Sequence, residues 1–576
     1  MRKKFWVSLI LSVLWLVVFP DCRAVVVANA GAAELSAPVY FFGLPAGDGK
    51  IYLGWRLDSK NPQMGYNVYR QDPGGKFKKV NAKPIADSTN YLDGSGIKDG
   101  KTYTYYVRAV DSGTGQESGN SAEVEVTAGK GTNIYSSIEK IHPNTGSARV
   151  KVGDIDADGL PDFLVVCRKS PDSAAGEHDD EYEDTGDYGN LHVKVLYNNG
   201  KQACDIDMGE TEKVLRTAWT FWDLNGDGKD ELIGVMKKAP GSNQYSLYVM
   251  DPTASGKVLS QIDVPSSPPV ISTRFKTMTI AYLDGKRPYI LYGAGHEYSQ
   301  HRYVNAYTFD AQSGLKIAWS WDKAASQSPK TDPSSSHQFE VVDIDGDGKD
   351  EAFLGVYVYD EKGIWKDPWG GHMWSHADGV HAGPIKSELD VYFHLEETPG
   401  GIHVTDCQGN IEWEKGGDCI VGDRKVLHAH AGWIGDVVKN SPGWEVWVMH
   451  KDTGATGMCC PFLYSANGQM INRNCDLRGG TVDWDGALPL EVISGNNIIE
   501  RFNDSGTQLS QVKAIGNKVE LAMDVVGDYR EEVIAFDNYQ GYLRLQVYTN
   551  INLNSQRKPS PCDDRQYLER HRWAGH

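Results

Sequence analysis

The sequence lacks an excess of basic residues, and this absence excludes one class of partner. It contains 58 Lys and Arg against 77 Asp and Glu, which gives a formal net charge of −19. A general nucleic-acid-binding protein needs a basic face, so the composition excludes that class. Taken alone, the acidic balance also disfavours an acidic substrate, unless the carboxylates are gathered in local sites and leave a basic groove elsewhere.

Long apolar runs are also scarce, and only the N-terminus has one. Basic residues at 2–4 precede an apolar run at 5–19, and an Ala-Asn-Ala sequence follows at 28–30. This order is typical of a secretory signal peptide, and the run is shorter than the roughly 20 residues that a membrane-spanning helix needs. Because no later segment reaches that length, we predict a signal peptide at 1–30 and a secreted or periplasmic protein without a membrane span.

Cysteine is sparse and has no metal-binding spacing. The chain contains nine cysteines, and no His–Cys pattern repeats as a zinc knuckle would require. Export permits disulfides, so we expect local pairs between Cys407 and Cys419, and between Cys475 and either Cys459 or Cys460.

Sustained helical periodicity is missing as well, which indicates an all-β fold. Short segments at 51–55, 66–70 and 103–108 alternate in and out with a period of two residues, and clusters of Gly, Asp and Asn separate them. Residues 36–128 resemble a fibronectin type III β-sandwich. We expect this domain to act as a spacer or packing partner and assign it no chemistry.

From residue 130 to residue 576, a short acidic motif recurs between β-like segments. Three copies of D-x-[DN]-x-D-G, each with a further Asp two or three residues after the glycine, begin at 154, 223 and 343, and weaker copies begin at 436, 483 and 524. A repeat of about 45 to 65 residues, rich in short strands, Trp and Tyr, is typical of propeller blades. We therefore predict that residues 130–576 form a β-propeller, with eight blades favoured and seven as the alternative.

The acidic motifs have the chemistry of a cation site. Oxygen ligands at alternate positions, with a glycine at the turn, suit Ca²⁺ better than Zn²⁺. We expect Ca²⁺ to stabilise the loops and take no part in catalysis, and the alternative is a set of metal-free Asp-Gly turns. The predicted ligands are Asp154, Asp156, Asp158, Asp162, Asp223, Asn225, Asp227, Asp230, Asp343, Asp345, Asp347 and Asp350.

Histidines concentrate in glycine-rich segments between two of these motifs. His376 and His381 flank Asp378, His337 precedes the third acidic loop, and His428 and His430 follow Arg424 and Lys425. A single surface histidine is usually without a catalytic role, but several beside Asp, Arg and Lys make a candidate active site. Loops at one end of a propeller converge on its axis, where a groove can form.

The order of motifs resembles the rhamnogalacturonan lyases of polysaccharide lyase family 11. The family's H-G-D-A-M-H appears as H-A-D-G-V-H at 376–381, its G-D-W-R-E-E-V as G-D-Y-R-E-E-V at 527–533 and its D-P-Q-Y-R as D-R-Q-Y-L at 564–568, while its P-G-x-E-V at 442–446 and its W-D-G at 484–486 are unchanged. The resemblance covers residues 40–567. The chain departs from the family pattern at 428–430 and ends soon after Tyr567.

The resemblance implies a calcium-binding propeller that cleaves a rhamnose–uronate backbone by β-elimination. In this calcium-assisted reaction a base takes the proton at C5 while the C4–O bond breaks, and a cation, which is Ca²⁺, Arg or Lys, neutralises the uronate carboxylate. The catalytic candidates by this resemblance are His337, His376, Asp378 and Tyr567, with Tyr567 as proton donor to the leaving oxygen. The weaker candidates for substrate binding are His381, Arg424, Lys425, His428 and His430. We expect a monomer that binds an acidic polysaccharide.

Three other functions are consistent with the sequence. A related lyase acting on an ulvan-type sulfated glycan would explain the departure at 428–430. A non-catalytic, calcium-dependent adhesion propeller would explain the acidic loops, but it gives no role to the segment at 376–381. A glycosidase with paired carboxylates is the third, although the sequence singles out no such pair.

Overall fold

The computed structural model describes residues 35–573, apart from some internal gaps. The gaps are 144, 170–189, 210–217, 240–241, 243, 265–275, 295–300, 325–335, 337, 367–368, 370–375, 396–400, 417–418, 422–423, 427–428, 453–456, 459–461 and 474–476. No helix of the described part is long and apolar enough to cross a membrane.

The N-terminal strands form a β-sandwich of two sheets. One sheet has the order β1-β2-β5 and the other the order β4-β3-β6-β7. Alternate side chains of the two sheets meet in a core that includes Trp55, Tyr66 and Tyr105. The strands are β1 (Phe42–Gly47), β2 (Lys50–Gly54), β3 (Gly65–Gln71), β4 (Phe77–Lys79), β5 (Asn90–Asp93), β6 (Thr102–Val110) and β7 (Val124–Thr127).

Among the described residues, the other strands build eight antiparallel sheets of four or five strands, each of which is a blade, and one sheet of two strands. Blades 1 to 4 are regular meanders of four strands. Their strands are β9 (Thr145–Gly153), β10 (Asp162–Lys169), β11 (Leu191–Leu196) and β12 (Gln202–Asp207); β13 (Trp219–Trp222), β14 (Glu231–Lys237), β15 (Tyr245–Asp251) and β16 (Lys257–Asp263); β17 (Lys276–Ala281), β18 (Tyr289–Ala294), β19 (His301–Asp310) and β20 (Gly314–Ala324); and β21 (Phe339–Val342), β22 (Glu351–Leu354), β23 (Tyr357–Asp360) and β24 (Gly363–Lys366).

Blades 5 to 8 continue this order, and a separate ribbon of two strands stands between blades 5 and 6. Blade 5 has β25 (Ala377–Gly383), β26 (Asp390–Leu395), β27 (Gly401–Asp406) and β28 (Ile411–Lys415), and the ribbon has β29 (Cys419–Val421) and β30 (Arg424–Val426). Blade 6 has β31 (Ala429–Gly435), β32 (Glu445–Asp452), β33 (Gly457–Met458), β34 (Phe462–Tyr464) and β35 (Met470–Asn472). Blade 7 has β36 (Leu477–Val482), β37 (Glu491–Ser494), β38 (Ile498–Phe502) and β39 (Leu509–Ala514). Blade 8 has β40 (Lys518–Met523), β41 (Glu532–Tyr539) and β42 (Tyr542–Tyr548), and β8 (Ile134–Ile138) completes it.

The first strands of the eight blades contact one another in a ring. The contacts run in order through β9, β13, β17, β21, β25, β31, β36 and β40, and β40 returns to β9. The ring encloses the central channel that is typical of propellers. We call the end where the first strands begin the leading end, and the end where the acidic motifs follow them the Asp-loop end.

A C-terminal helix covers the Asp-loop end of the channel. After a one-turn 3-10 helix (Pro561–Asp563), helix α1 (Arg565–Trp573) contacts β9, β13, β17, β21 and β40. Arg565 donates to the buried carboxylate of Asp350 at 2.8 Å. The Asp-loop end of the channel is therefore covered at these five blades.

The sandwich is fused to the same Asp-loop end, at blades 1 and 8. Phe42 and Tyr52 belong to one apolar cluster with residues of both blades. The buried guanidinium of Arg530 in blade 8 donates to the Tyr52 hydroxyl at 2.6 Å. The sandwich is therefore placed away from the leading end, and the prediction of an all-β sandwich followed by a propeller is confirmed.

The expected Cys407–Cys419 disulfide is not formed. Cys407 is a free thiol in the turn after β27, where its sulfur lies 2.7 Å from Nε2 of Gln408. The other expected pair involves Cys459, Cys460 and Cys475, which lie outside the described residues.

Candidate active site

Asp378 is the centre of a buried histidine–carboxylate cluster at the leading end. Its Oδ1 lies 3.0 Å from Nε2 of His376, and its Oδ2 lies 2.9 Å from Nδ1 of His430. Asp378 and His376 are almost completely buried, whereas the His430 side chain is 18% exposed. One carboxylate therefore fixes two imidazoles, and of the two only His430 has appreciable access to the solvent.

Two β-bulges place these side chains. The register of β25 shifts between Ala377 and Gly379, which leaves Asp378 as the extra residue. The register of β31 shifts in the same way between Ala429 and Ala431, which leaves His430 as the extra residue. A bulge redirects a side chain out of the regular alternation, so each bulge turns one polar group towards the neighbouring blade. The His430–Asp378 contact thus joins blades 5 and 6.

A second layer of histidines supports the cluster from within blade 5. The His394 ring is stacked on His381 at 5.7 Å, and His381 is stacked on Tyr392 at 5.8 Å. Gly379 is required beneath His394, because a Cβ at that position would lie 2.0 Å from Nε2 of the ring. Burial, and then the proximity of His381, lowers the pKa of His394 to about 3. His394 is therefore a neutral packing group beside Asp378.

The structure brings together three of the predicted site residues and leaves several undescribed. His376, Asp378 and His430 form the cluster, and His381 stands behind it. His337 and His428 lie outside the described residues. Arg424 and Lys425 lie on β30, and only their backbone is described.

Tyr567 is not brought to this cluster. Its hydroxyl donates to Oε1 of Glu531 at 2.8 Å and accepts from the backbone N–H of Asp524 at 3.0 Å. Asp524 follows the end of β40, so these contacts belong to the Asp-loop end, whereas Asp378 stands at the start of β25. The first strands of a propeller run in one direction, so the two groups lie at opposite ends of the channel. Tyr567 is corrected from proton donor to an anchor of α1.

The acidic motifs form turns at the Asp-loop end, and two of them gather carboxylates closely. Oxygens of Asp154, Asp156 and Asp162 lie within 4.8 Å of one another, and so do oxygens of Asp343, Asp345 and Asp347. Among the described residues, Oδ1 of Asp154 is buried without a hydrogen-bond partner. A buried, unsatisfied carboxylate oxygen beside other carboxylates fits the donor set of Ca²⁺.

Asp230 and Asp350 do not join their own loops. Oδ2 of Asp230 accepts from the backbone N–H of Asp154 in blade 1, and Oδ2 of Asp350 accepts from that of Tyr282 in blade 3. Both are buried, and each ties its blade to the preceding one. Asp230 and Asp350 are therefore no longer assigned as calcium ligands. Each is followed by a glutamate at the start of a strand, and successive residues of a strand point to opposite faces of the sheet, so only one of the two can turn to its own loop.

Glu231 and Glu351, which follow Asp230 and Asp350, take the place in the loop that the sequence prediction had given to these two aspartates. Oε2 of Glu231 accepts from the N–H of Leu224, and Oε2 of Glu351 accepts from that of Ile344, as Asp162 does from Ile155. Burial, opposed by these N–H bonds, raises the pKa of Glu231 to about 7 and that of Glu351 to about 8. The spacing of eight residues from the first aspartate, shared with Asp162, was the signal that could have identified them.

The sequence interpretation also missed a charged group on the first strands of blades 1 and 8. Arg149 and Lys151 are partly buried on β9, and Arg149 lies 3.1 Å from the carboxylate of Glu520 on β40. The available signal was a pair of basic residues that alternate with valines directly ahead of the first acidic motif.

Comparisons with known proteins assign the chain to a family. Residues 272–574 match the family model described as "Rhamnogalacturonan lyase family 11, C-terminal domain". The chain belongs to rhamnogalacturonan lyase family 11. Residues 42–126, which contain the sandwich, match the "Rhamnogalacturonan I lyases beta-sheet domain". As a member of family 11, the protein is a polysaccharide lyase.

Individual members of family 11 are similar over nearly the whole chain. Rhamnogalacturonan endolyase YesW of Bacillus subtilis (strain 168) is 27% identical, with 95% of this chain and 90% of YesW covered. Rhamnogalacturonan exolyase YesX of the same organism is 26% identical, with 87% of each covered. The crystal structure of YesW aligns with a TM-score of 0.73 at 24% identity and 94% coverage of both chains. A Bacillus licheniformis lyase structure gives the same values, and both matches show the fold.

Proposed function

We propose that this protein is a secreted lyase that cleaves the rhamnose–uronate backbone of rhamnogalacturonan by β-elimination. The observation that carries the proposal is the His376–Asp378–His430 cluster at the leading end of the channel, in a chain of family 11. The names of the similar proteins from B. subtilis support the polymer, and the N-terminal sequence supports export.

His430 has the geometry of the base. Because its Nδ1 donates to Asp378, its Nε2 carries the lone pair and can accept a proton. Asp378 holds that tautomer and stabilises the imidazolium that forms, as a carboxylate does for histidine in other enzymes. His376 is nearly inaccessible, so its contribution is to share the charge of Asp378 and hold its orientation.

The reaction then balances as an elimination. The base takes the C5 proton of the uronate, the electron pair forms the C4–C5 double bond, and the C4–O bond breaks towards the next sugar. The leaving oxygen takes a proton from water, the base returns its proton to the solvent, and the product carries an unsaturated uronate. The negative charge that develops at the carboxylate requires a cationic partner in the channel.

We also propose that Ca²⁺ binds the two carboxylate clusters at the Asp-loop end. Asp154, Asp156 and Asp162 would hold one ion, and Asp343, Asp345 and Asp347 would hold another. Bound calcium supplies charge neutralisation there. Its assistance is to fix the loops that support the channel and α1, and no chemical step passes through it.

An ultraviolet assay of purified protein with rhamnogalacturonan tests the proposal. The protein should produce the absorbance of an unsaturated uronate, and His430→Gln should abolish it in a variant that still folds. The matched control is His192→Gln, because His192 also bonds an aspartate, at 2.8 Å from Asp205, but on the outer part of blade 1. Reducing sugar without ultraviolet absorbance would refute elimination in favour of hydrolysis. Activity on ulvan fragments alone would refute the polymer.

A further inference from the structure

Two polar side chains of blade 4 bond the backbone of β25, the strand that begins blade 5. β25 pairs with β26 along one edge, and β21 of blade 4 contacts it from the other side. Nε2 of Gln338, just ahead of β21, donates to the carbonyl of Val380 at 3.3 Å. The N–H of Ala382 donates to Oε1 of Glu340 on β21 at 3.0 Å. Val380 and Ala382 are buried, so their backbone groups need partners within the protein, and these two side chains supply them. We call Gln338 and Glu340 the β25 clamp.

A third contact between the two blades lies ahead of Asp378. Ser336 forms an isolated parallel bridge with Ala377. Together with the clamp it gives three contact points, which are 336 with 377, 338 with 380 and 340 with 382. From the first point to the second, blade 4 advances by two residues and β25 by three. The additional residue falls in the interval that contains Asp378, which is the extra residue against β26 as well. Contacts from blade 4 therefore hold the backbone on both sides of Asp378.

This backbone decides where the Asp378 carboxylate points. Asp378 has no paired residue on β26, and its side chain reaches out of blade 5 to His430 in blade 6. A side chain at such a position takes its direction from the backbone on either side of it. On the edge that faces blade 4, that backbone is held by the bridge before Asp378 and by the clamp after it. The geometry of the contact between blades 5 and 6 thus depends on two side chains of blade 4.

We propose that Gln338 and Glu340 are positioning residues, which hold Asp378 in the orientation that it needs to fix His430. This inference rests on the proposed function, because the clamp acts on the elimination only through the Asp378–His430 pair. A displacement of about 1 Å at a catalytic group can lower a rate by about a hundredfold, so the loss of one bond of the clamp should reduce turnover. Substrate affinity should change little, because the clamp bonds the protein backbone.

Two substitutions of Glu340 separate the hydrogen bond from the charge. Glu340→Gln keeps an oxygen that can accept from the N–H of Ala382, whereas Glu340→Leu removes the acceptor. In the ultraviolet assay with rhamnogalacturonan, Glu340→Leu should lower kcat by about tenfold to a hundredfold and change KM by less than about twofold. Glu340→Gln should keep kcat within about threefold of the wild type, because it restores the bond. An equal loss of kcat in both variants would show that Glu340 acts by its charge and would overturn the positioning role.

A double-mutant cycle shows whether the clamp acts through Asp378. Added to Asp378→Asn, Glu340→Leu should lower the residual rate by less than about twofold, because residues that act as one unit are not additive. The full loss in both backgrounds would overturn the proposal. Gln338→Leu breaks the other bond of the clamp and should act like Glu340→Leu, which keeps the test decisive if one variant does not fold. Ser260→Ala is the matched control, since Oγ of Ser260 accepts from the N–H of Leu315 at 2.9 Å between the outer strands of blades 2 and 3, and it should leave kcat unchanged.

Amide hydrogen exchange separates this inference from the proposed function. Exchange within 377–383 should be at least about tenfold faster in Glu340→Leu than in the wild type, and Glu340→Gln should retain the protection. If the wild type yields no unsaturated product but the exchange rates change in this way, the elimination is refuted and the clamp on β25 stands. If the wild type is active and both leucine variants fold yet keep its kcat, the positioning role is refuted.

Discussion

Replacing Asp378 by Asn tests the central feature of the candidate active site. The carboxylate accepts from His376 at one oxygen and from His430 at the other. An amide of the same shape has one accepting oxygen and one donating nitrogen, so only one histidine can keep its tautomer. If the amide oxygen turns to His376, the amide nitrogen faces Nδ1 of His430, and the proton of His430 must move to Nε2. The nitrogen that we assign as the base is then blocked.

The magnitude follows from the wrong tautomer and from the lost charge. A carboxylate-to-amide change beside a catalytic histidine lowers turnover by roughly 10²- to 10⁴-fold in enzymes that depend on the tautomer. The loss of one charge-assisted hydrogen bond at a buried site costs about 1.5 to 3 kcal/mol of stability. We therefore expect Asp378→Asn to fold, to unfold at a lower temperature and to be nearly inactive.

The assay is the initial rate of ultraviolet absorbance together with a thermal unfolding curve. Asp205→Asn is the matched control, because Asp205 bonds His192 and Lys194 at the outer part of blade 1 and is not near the channel. It should lose stability without losing turnover. A folded Asp378→Asn variant that keeps its rate within about threefold would refute the tautomer argument, since that loss is far below the expected range.

Three further predictions concern the supporting structure. Tyr567→Phe should lower the free energy of unfolding by about 1 to 3 kcal/mol, because the hydrogen bond to Glu531 is lost, and it should leave kcat unchanged. A large fall in kcat at normal stability would restore Tyr567 as proton donor. The pKa of His394 is lowered from 6.5 to about 3, so between these two pH values the unfolded chain binds a proton that the folded chain does not. Unfolding titrations should therefore show that the free energy of unfolding falls as the pH drops below 6.5. A His394→Gln variant that keeps the same slope would contradict this. Chelation should lower the melting temperature of the parent and of Asp350→Asn, but it should have a smaller effect on Asp343→Asn. A larger effect of chelation on Asp343→Asn than on Asp350→Asn would return Asp350 to the ligand set.

The repeated acidic motif was sufficient to predict the propeller, but not the direction of each carboxylate. The motif stands after the first strand of a blade, where a tight turn needs Asp and Gly whatever the packing around it. Asp230 and Glu231 are adjacent acids, and only the strand pairing decides that Glu231 turns back to its own loop while Asp230 reaches blade 1. A linear pattern cannot separate the two faces when both residues are acidic.

The candidate site was predictable only in its local part. His376 and Asp378 are two residues apart, so their proximity is contained in the segment itself. The partner His430 is 52 residues away, and its contact depends on two bulges that alternation of apolar and polar residues does not reveal. Tyr567 was wrongly assigned to the active site because its motif follows the other motifs in the same order as in the family. The order of motifs along the chain does not show at which end of the channel a residue lies.

The closure of the channel by α1 decides how a polymer can approach these groups. The helix contacts the first strands of blades 1, 2, 3, 4 and 8 at the Asp-loop end, and the sandwich occupies the same end at blades 1 and 8. These contacts cover the Asp-loop end at five blades, so we expect a polysaccharide to meet Asp378 and His430 from the leading end, where blades 5 and 6 hold them. The net charge of −19 does not oppose this, because the two tight carboxylate clusters stand at the covered Asp-loop end, whereas the His376–Asp378–His430 cluster stands at the leading end.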